Sequence, residues 1–199
     1  MPLPNSAFLD GADALIVDWD GTVVDNTALR LHALRQALAP HGIDVPDERY
    51  RALGGLPVRH LIGALTDDAD LPVDDIVLAS RGILLNGPAP EPIEATLDLL
   101  HEAHRRGLPR AVASSAAGVL VHRAITQLGL GQLLPVVVTA EDVTRGKPAP
   151  DAYLEAACRI DRPPTRCLAV DDAPDGITAA RAAGMRVLTL RADRLVPAP

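Results

Sequence analysis

The chain has 199 residues, 48% of them apolar and 23% charged. It therefore suits one globular domain with a modest insertion, and disorder, collagen and coiled coil are excluded as overall descriptions. The net charge is −7 and no basic run occurs, so no nucleic-acid partner is expected.

No stretch approaches the roughly 18 apolar residues of a bilayer span, and Met1–Asp10 lacks the charged start of a signal peptide. Cys158 and Cys167 cannot make a disulfide framework. No membrane partner is expected, and a reducing, cytoplasmic setting is. In chain order, the first predicted element is a short apolar strand, Ala14–Asp20, that ends in acids. Residues 28–89 then carry no strand pattern. Leu31, Leu34 and Leu38 share one helical face, Leu61, Ile62 and Leu65 another, and Val73, Ile76, Val77 and Ser80 a third. The span reads as an all-helical insertion, and Pro88, Pro90 and Pro92 mark the return. The expected domains are 1–27 with 90–199, and 28–89. Asp67, Asp68, Asp70, Asp74 and Asp75 read as a solvated loop with helix caps, because the cluster lacks the glycine and terminal glutamate of a calcium loop.

A helix over Pro92–Arg106 follows, with Ile93, Leu97 and Leu100 on one face and a stop at Gly107. Next come a strand at Arg110–Ser114, a helix over Ala117–Leu128 stopped by Gly129, and a strand at Pro135–Thr139. A helix capped by Asp151 runs to about Arg159. It precedes a strand at Arg166–Asp171, a helix from Pro174 with its C-cap at Gly184, and a strand at Arg186–Leu190. The strands are continuously apolar, as parallel strands covered on both faces must be. Alternating βα units predict an α/β fold: a doubly wound, Rossmann-like parallel sheet carrying the helical insertion.

Acids and hydroxyls cluster at the C-terminal ends of these strands, where open α/β sheets bind ligands. Asp18 and Asp20 end the first, Ser114 and Ser115 the second, and Asp171 and Asp172 the fourth. Gly146-Lys147-Pro148 follows the third. Each alone is a turn or a cap. Together, four carboxylates in one crevice repel and require a cation. Oxygen donors without Cys or His select Mg²⁺. Lys147 is the single lysine of a chain with 18 arginines, and its compact charge suits an anion. A carboxylate can attack phosphorus to form an aspartyl-phosphate.

These motifs carry a resemblance. The chain resembles the haloacid dehalogenase (HAD) superfamily over about Ala14–Arg191. DxDGT is read at Asp18–Thr22 and the serine of the second motif at Ser114. GKPxPD is read at Gly146–Asp151, the acidic pair in Val170–Gly176, and AAxxAGM at Ala179–Met185. The subfamily is the one with a helical cap inserted after the first motif: sugar-phosphate phosphatases, phosphoglycolate phosphatase and β-phosphoglucomutase. The resemblance implies a HAD core with an all-helical cap and a phosphoric monoester hydrolase. It makes Asp18 the nucleophile and a Mg²⁺ ligand, and Asp20 the general acid/base whose backbone carbonyl also binds the metal. Ser114 and Lys147 hold the phosphoryl group, with Ser115 in the phosphate-binding set. Asp172 is a direct metal ligand, and Asp171 a ligand directly or through water. Relatives often carry Glu in place of Asp171 and Ser in place of Ala173.

Dehalogenases of the superfamily lack the second acid, whereas a phosphate monoester needs it to protonate an alkoxide, so Asp20 argues for phosphoryl transfer. Residues 28–89 hold no lysine for a Schiff base, which excludes that route to phosphonates. The expected activity is Mg²⁺-dependent hydrolysis of a small phosphorylated metabolite, a sugar or polyol phosphate, by a monomer or small homo-oligomer. Thr139–Lys147 resembles the sugar phosphatases. The alternatives are a β-phosphoglucomutase-like mutase and a non-catalytic phosphometabolite-binding relative. The mutase's cap histidine falls at Arg30, and its cap arginine at Pro57 or Val58, near Arg59. Arg30 and Arg59 are either substrate contacts or surface charges, and Gly54-Gly55-Leu56-Pro57 reads as a specificity loop. His101 and His104 read as a solvated pair, since zinc wants a third ligand. Asp175 reads as a surface acid, Cys158 and Cys167 as small core residues, and Trp19 as packed beneath the loop between the acids.

Overall fold

Short runs of Val, Leu, Ile and Ala build the sheet, and longer stretches with helical periodicity cover it. In the computed structural model, which describes residues 6–53, 58–66 and 71–199, the order is β1 (Ala14–Val17), β2 (Val24–Asp25), α1 (Thr27–Leu38), α2 (Asp47–Leu53), α3 (Val58–Thr66), α4 (Val73–Asn86), β3 (Glu91–Pro92), α5 (Glu94–Arg105), β4 (Arg110–Ala113), α6 (Gly118–Gln127), β5 (Val136–Val138), α7 (Asp151–Arg159), β6 (Cys167–Val170), α8 (Pro174–Ala182), β7 (Arg186–Arg191) and β8 (Arg194–Pro197).

The main sheet runs β5-β4-β1-β6-β7-β8. All its pairings are parallel except that of β7 with β8. The chain winds outward from β1 through β4 to β5, then returns to β6 on the other side of β1. Strand order reverses there, which makes the switch point at which open sheets bind ligands. The period-two alternation of a strand splits the core into two layers. Leu15, Val17, Val112, Leu168 and Val170 join α5 and α6 in one cluster. Ala14, Ile16, Ala111, Ala113, Cys167 and Ala169 join α7 and α8 in the other. The second layer is rich in alanine, and small side chains let α7 and α8 lie close to the sheet.

By its contacts the chain divides into two compact units, one up to Asp25 with Glu91–Pro199, the other Asn26–Pro90. The antiparallel pairs Val24↔Pro92 and Asp25↔Glu91 join β2 to β3 where the chain leaves and re-enters the first unit. The second unit is built from α1–α4 around Leu34, Leu38, Leu61, Ile62, Leu65, Ile76 and Val77, with Leu31 and Val73 packed at the margin. Among the described residues, no helix is long and apolar enough to cross a membrane.

Three local expectations need correction. Asp151 is the first helical residue of α7, with Pro150 in the cap position. Cys158 is exposed, whereas Cys167 is buried; α7 turns Ala152, Tyr153, Ala156 and Ala157 inward instead. The sheet also gains β8 through a turn in which Ala192 (φ 46°) and Asp193 (φ 59°) are both left-handed, the conformation that two-residue hairpins favour.

Candidate active site

β4, β1 and β6 are neighbours in the sheet, and the residue after each is Ser114, Asp18 or Asp171. Their N–H groups continue the ladder one residue beyond the strands. Asp18 donates to the Val170 carbonyl at 2.9 Å, Ser114 to Val138 at 2.9 Å and Asp171 to Leu188 at 3.1 Å. Carrying the alternation one step further aligns Asp18 with Ala14 and Ile16, and Asp171 with Cys167 and Ala169. That is the face covered by α7 and α8.

Two residues near the start of α7 meet them there. Lys147 Nζ donates to Asp18 Oδ1 at 2.6 Å and to Asp171 Oδ2 at 2.6 Å. All three side chains are buried. Tyr153, fully buried, donates its O–H to the same Asp171 Oδ2 at 2.6 Å, and its ring centroid lies 5.0 Å from Lys147 Nζ. The Ala173 N–H donates to Asp171 Oδ1 at 3.0 Å.

Beyond Asp18 the chain turns tightly. The Trp19 carbonyl accepts the N–H groups of Thr22, Val23 and Val24, and the Trp19 side chain is buried in the first core layer. Thr22, also buried, donates its hydroxyl to Asp172 Oδ1 at 2.9 Å and accepts the Asp172 N–H at 3.2 Å. Two glycines make room for the acids. Gly21 has φ +84°, and a Cβ on it would fall 2.4 Å from Asp172 Oδ2; a Cβ on Gly176 would fall 1.9 Å from Asp171 Oδ2. Asp18, Asp171 and Asp172 thus offer oxygens that all lie within 4.8 Å of one another. Asp20 adds its negative charge to the field at Asp18. Ser114 Oγ accepts the Ala116 N–H at 3.0 Å, and Ser115 is exposed on the way into α6.

The charges do not balance. Burial pushes the Asp18 carboxyl above its ordinary range, against the pull of Lys147 and with the added push of Asp171. Burial works against the Lys147 charge too, but the two carboxylates outweigh it and hold the ammonium above its usual value. Burial, and then the Asp171 charge, keep the Tyr153 phenol well above its own. Three carboxylates and one ammonium leave a formal −2. Hard oxygen donors with that deficit suit a divalent cation of the Mg²⁺ class.

A family model described as haloacid dehalogenase-like hydrolase matches residues 15–190. The chain belongs to that family. The HAD match runs from β1 into β7 and takes in the C-terminal ends of β1, β4, β5 and β6. YqaB, a fructose-1-phosphate phosphatase of Escherichia coli (strain K12), is 33% identical over 183 residues, 89% of this chain and 95% of that one. Validoxylamine A 7′-phosphate phosphatase of Streptomyces hygroscopicus subsp. limoneus is 31% identical over 173 residues, 85% of this chain and 81% of that one. Among solved structures, CbbY of Rhodobacter sphaeroides in complex with xylulose-(1,5)bisphosphate has a TM-score of 0.78 at 27% identity, covering 89% of this chain and 85% of that one.

Within the HAD core the structure brings Asp18, Lys147, Asp171 and Asp172 into one cluster, with Ser114 and Ser115 after the adjoining β4 and Asp20 in the turn two residues past Asp18. Sequence reasoning misses Tyr153 and the bond of Thr22 to Asp172. The available signal for Tyr153 is a tyrosine set among alanines on the buried face of α7, since a buried phenol requires a partner. In the helical unit, Arg59 pairs with Asp74 across an exposed surface, and Arg30 is half-buried on α1. Asp74 and Asp75 lie in the first turn of α4. Asp67, Asp68, Asp70 and the loop Gly54–Pro57 lie outside the described residues. His101, His104 and Asp175 are exposed.

Proposed function

We propose that the chain is a Mg²⁺-dependent phosphatase that hydrolyses a small sugar or polyol phosphate through an aspartyl-phosphate on Asp18. One observation carries this reading. The only lysine of the chain lies 2.6 Å from both Asp18 and Asp171 at the ends of adjacent strands, with Asp172 beside them. The fructose-1-phosphate and validoxylamine A 7′-phosphate named for two relatives support the substrate class, and HAD membership supports the chemistry. In this reading the unit Asn26–Pro90 is the cap that selects the ester.

The mechanism follows from the side chains. An Asp18 oxygen forms a bond to phosphorus while the bond to the ester oxygen breaks. Asp20 delivers a proton to that leaving oxygen, and then takes one from the water that attacks phosphorus and releases Asp18. Lys147, Ser114 and Ser115 hold the phosphoryl oxygens in place. Asp18, Asp171 and Asp172, with the Asp20 carbonyl, are the groups that would hold Mg²⁺. The ion, when bound, supplies positive charge against the phosphoryl oxygens.

The test is phosphate release from a panel of hexose, pentose and polyol phosphates, phosphoglycolate and an aryl phosphate, run with Mg²⁺, with EDTA, and with Asp18→Asn. Release that requires Mg²⁺ and disappears in the variant is the expected result. No release from any ester, with phosphate still shifting Trp19 emission, would replace the reading. A bisphosphate-dependent mutase or a binding protein would then stand in its place.

A further inference from the structure

We propose that Tyr153 is a positioning residue: its hydroxyl fixes Asp171, and Asp171 together with the tyrosine ring fixes the Lys147 ammonium. The inference rests on Lys147 being the phosphoryl-binding cation of the reading above. Tyr153 touches this group twice. Its O–H shares Asp171 Oδ2 with Lys147, both at 2.6 Å, and its ring centroid lies 5.0 Å from Nζ. Asp171 is pinned on its other sides. The Ala173 N–H holds Oδ1 at 3.0 Å, and the Cα of Gly176 faces the carboxylate so closely that a Cβ there would overlap it.

The arrangement answers a difficulty of the site. Lys147 has three N–H donors on a flexible stem, and its nearest anion is Asp18, the proposed nucleophile. An ammonium paired with Asp18 alone would lower the nucleophile's reactivity. Sharing Lys147 between Asp18 and Asp171 divides that attraction and leaves one N–H for a phosphoryl oxygen. The sharing lasts only while Oδ2 of Asp171 keeps its direction. Tyr153 supplies that direction from a helix packed against the sheet, and its ring closes one side of the ammonium.

The chain's single lysine makes the test selective. Protein grown with ¹³C,¹⁵N-lysine reports Lys147 alone, without substrate or metal. In the wild type its two Hε protons are expected to be resolved and shifted by the ring. Tyr153→Phe keeps the ring and removes the hydroxyl; the Hε pair should collapse toward one averaged signal. In kinetics, kcat should fall about tenfold, as for a lost bond to a charged group, with KM changed by less than about threefold. The effects of Tyr153→Phe and Asp171→Asn on kcat should be strongly non-additive, because one acts through the other. Asp171→Asn should by itself disturb the Lys147 signals, which keeps the proposal testable if Tyr153→Phe does not fold. Unmoved Lys147 signals in either folded variant, or additive kinetics, would overturn it. Absence of turnover in the wild type would overturn the phosphatase reading instead and leave the spectra to decide this one.

Discussion

Gly176→Ala sets two effects of opposite sign against each other. Gly176 lies in the first half of α8, where alanine is ordinarily better than glycine by about 1 kcal/mol. Here a Cβ would sit 1.9 Å from Asp171 Oδ2 and 2.1 Å from Cγ. Non-bonded C···O contacts begin near about 3.3 Å, so the carboxylate would have to retreat by more than about 1 Å. That retreat stretches the 2.6 Å bonds from Lys147 and Tyr153 beyond hydrogen-bonding range. Each bond to a charged group contributes about 1.5–3 kcal/mol. Losing two therefore costs about 3–6 kcal/mol, and helix propensity returns about 1. The net expectation is a loss of about 2–5 kcal/mol, together with at least a tenfold fall in phosphate release. Urea unfolding followed by Trp19 fluorescence measures the first and steady-state kinetics the second. Gly82→Ala in α4 is the control, because a Cβ there meets nothing within 4 Å and should stabilise by about 1 kcal/mol. If Gly176→Ala stabilises as the control does and leaves turnover unchanged, the packing of Asp171 against α8 is wrong.

Thr22→Val keeps the shape of a buried side chain but leaves the Asp172 N–H and Oδ1 without their partner. It should cost about 1–3 kcal/mol and raise the Mg²⁺ concentration for half-maximal activity; an unchanged Mg²⁺ curve would break the link between Thr22 and the metal site. Asp142 is held down at about 2, first by the Arg159 guanidinium and then by the Thr139 N–H. A lowered carboxyl stabilises the fold fully above its unfolded value of 3.8 and loses that effect as pH falls toward 2. The urea-midpoint gap between wild type and Asp142→Asn should therefore be widest near neutrality and close below about pH 4; a gap independent of pH would refute the assignment. In the native protein one thiol should react rapidly with an aromatic disulfide reagent. Cys158 is exposed, while Cys167 is buried and its thiol is pushed up to about 11, so thiolate is scarce there. Two fast thiols before unfolding would contradict the packing of β6.

Much of the core is legible in the chain because its signals are local. A strand covered on both faces reads as a near-continuous apolar run, so ALIV, CLAV and the AVA that follows Arg110 announce themselves. The polar residues that follow at once mark where each strand stops. Asp18, Ser114 and Asp171 therefore fall at strand ends by local rules alone, and the three apolar faces of the helical unit follow from periodicity alone. Other features depend on neighbours distant in sequence. Thr22 bonds Asp172 across 150 residues and Lys147 bonds Asp18 across 129, and neither pairing has a local trace. In β8 only Leu195 is buried, and an Ala-Asp pair is not the turn sequence that advertises a hairpin. Whether Cys158 or Tyr153 faces inward depends on how far α7 is rotated against the sheet, which its alanines decide. The sequence by itself determined which residues are apolar, which are charged and where strands end. Only the tertiary structure decided that Tyr153 and Lys147 share one oxygen of Asp171. Sharing an acceptor at 2.6 Å is a matter of distances between packed elements, and periodicity carries no such distances.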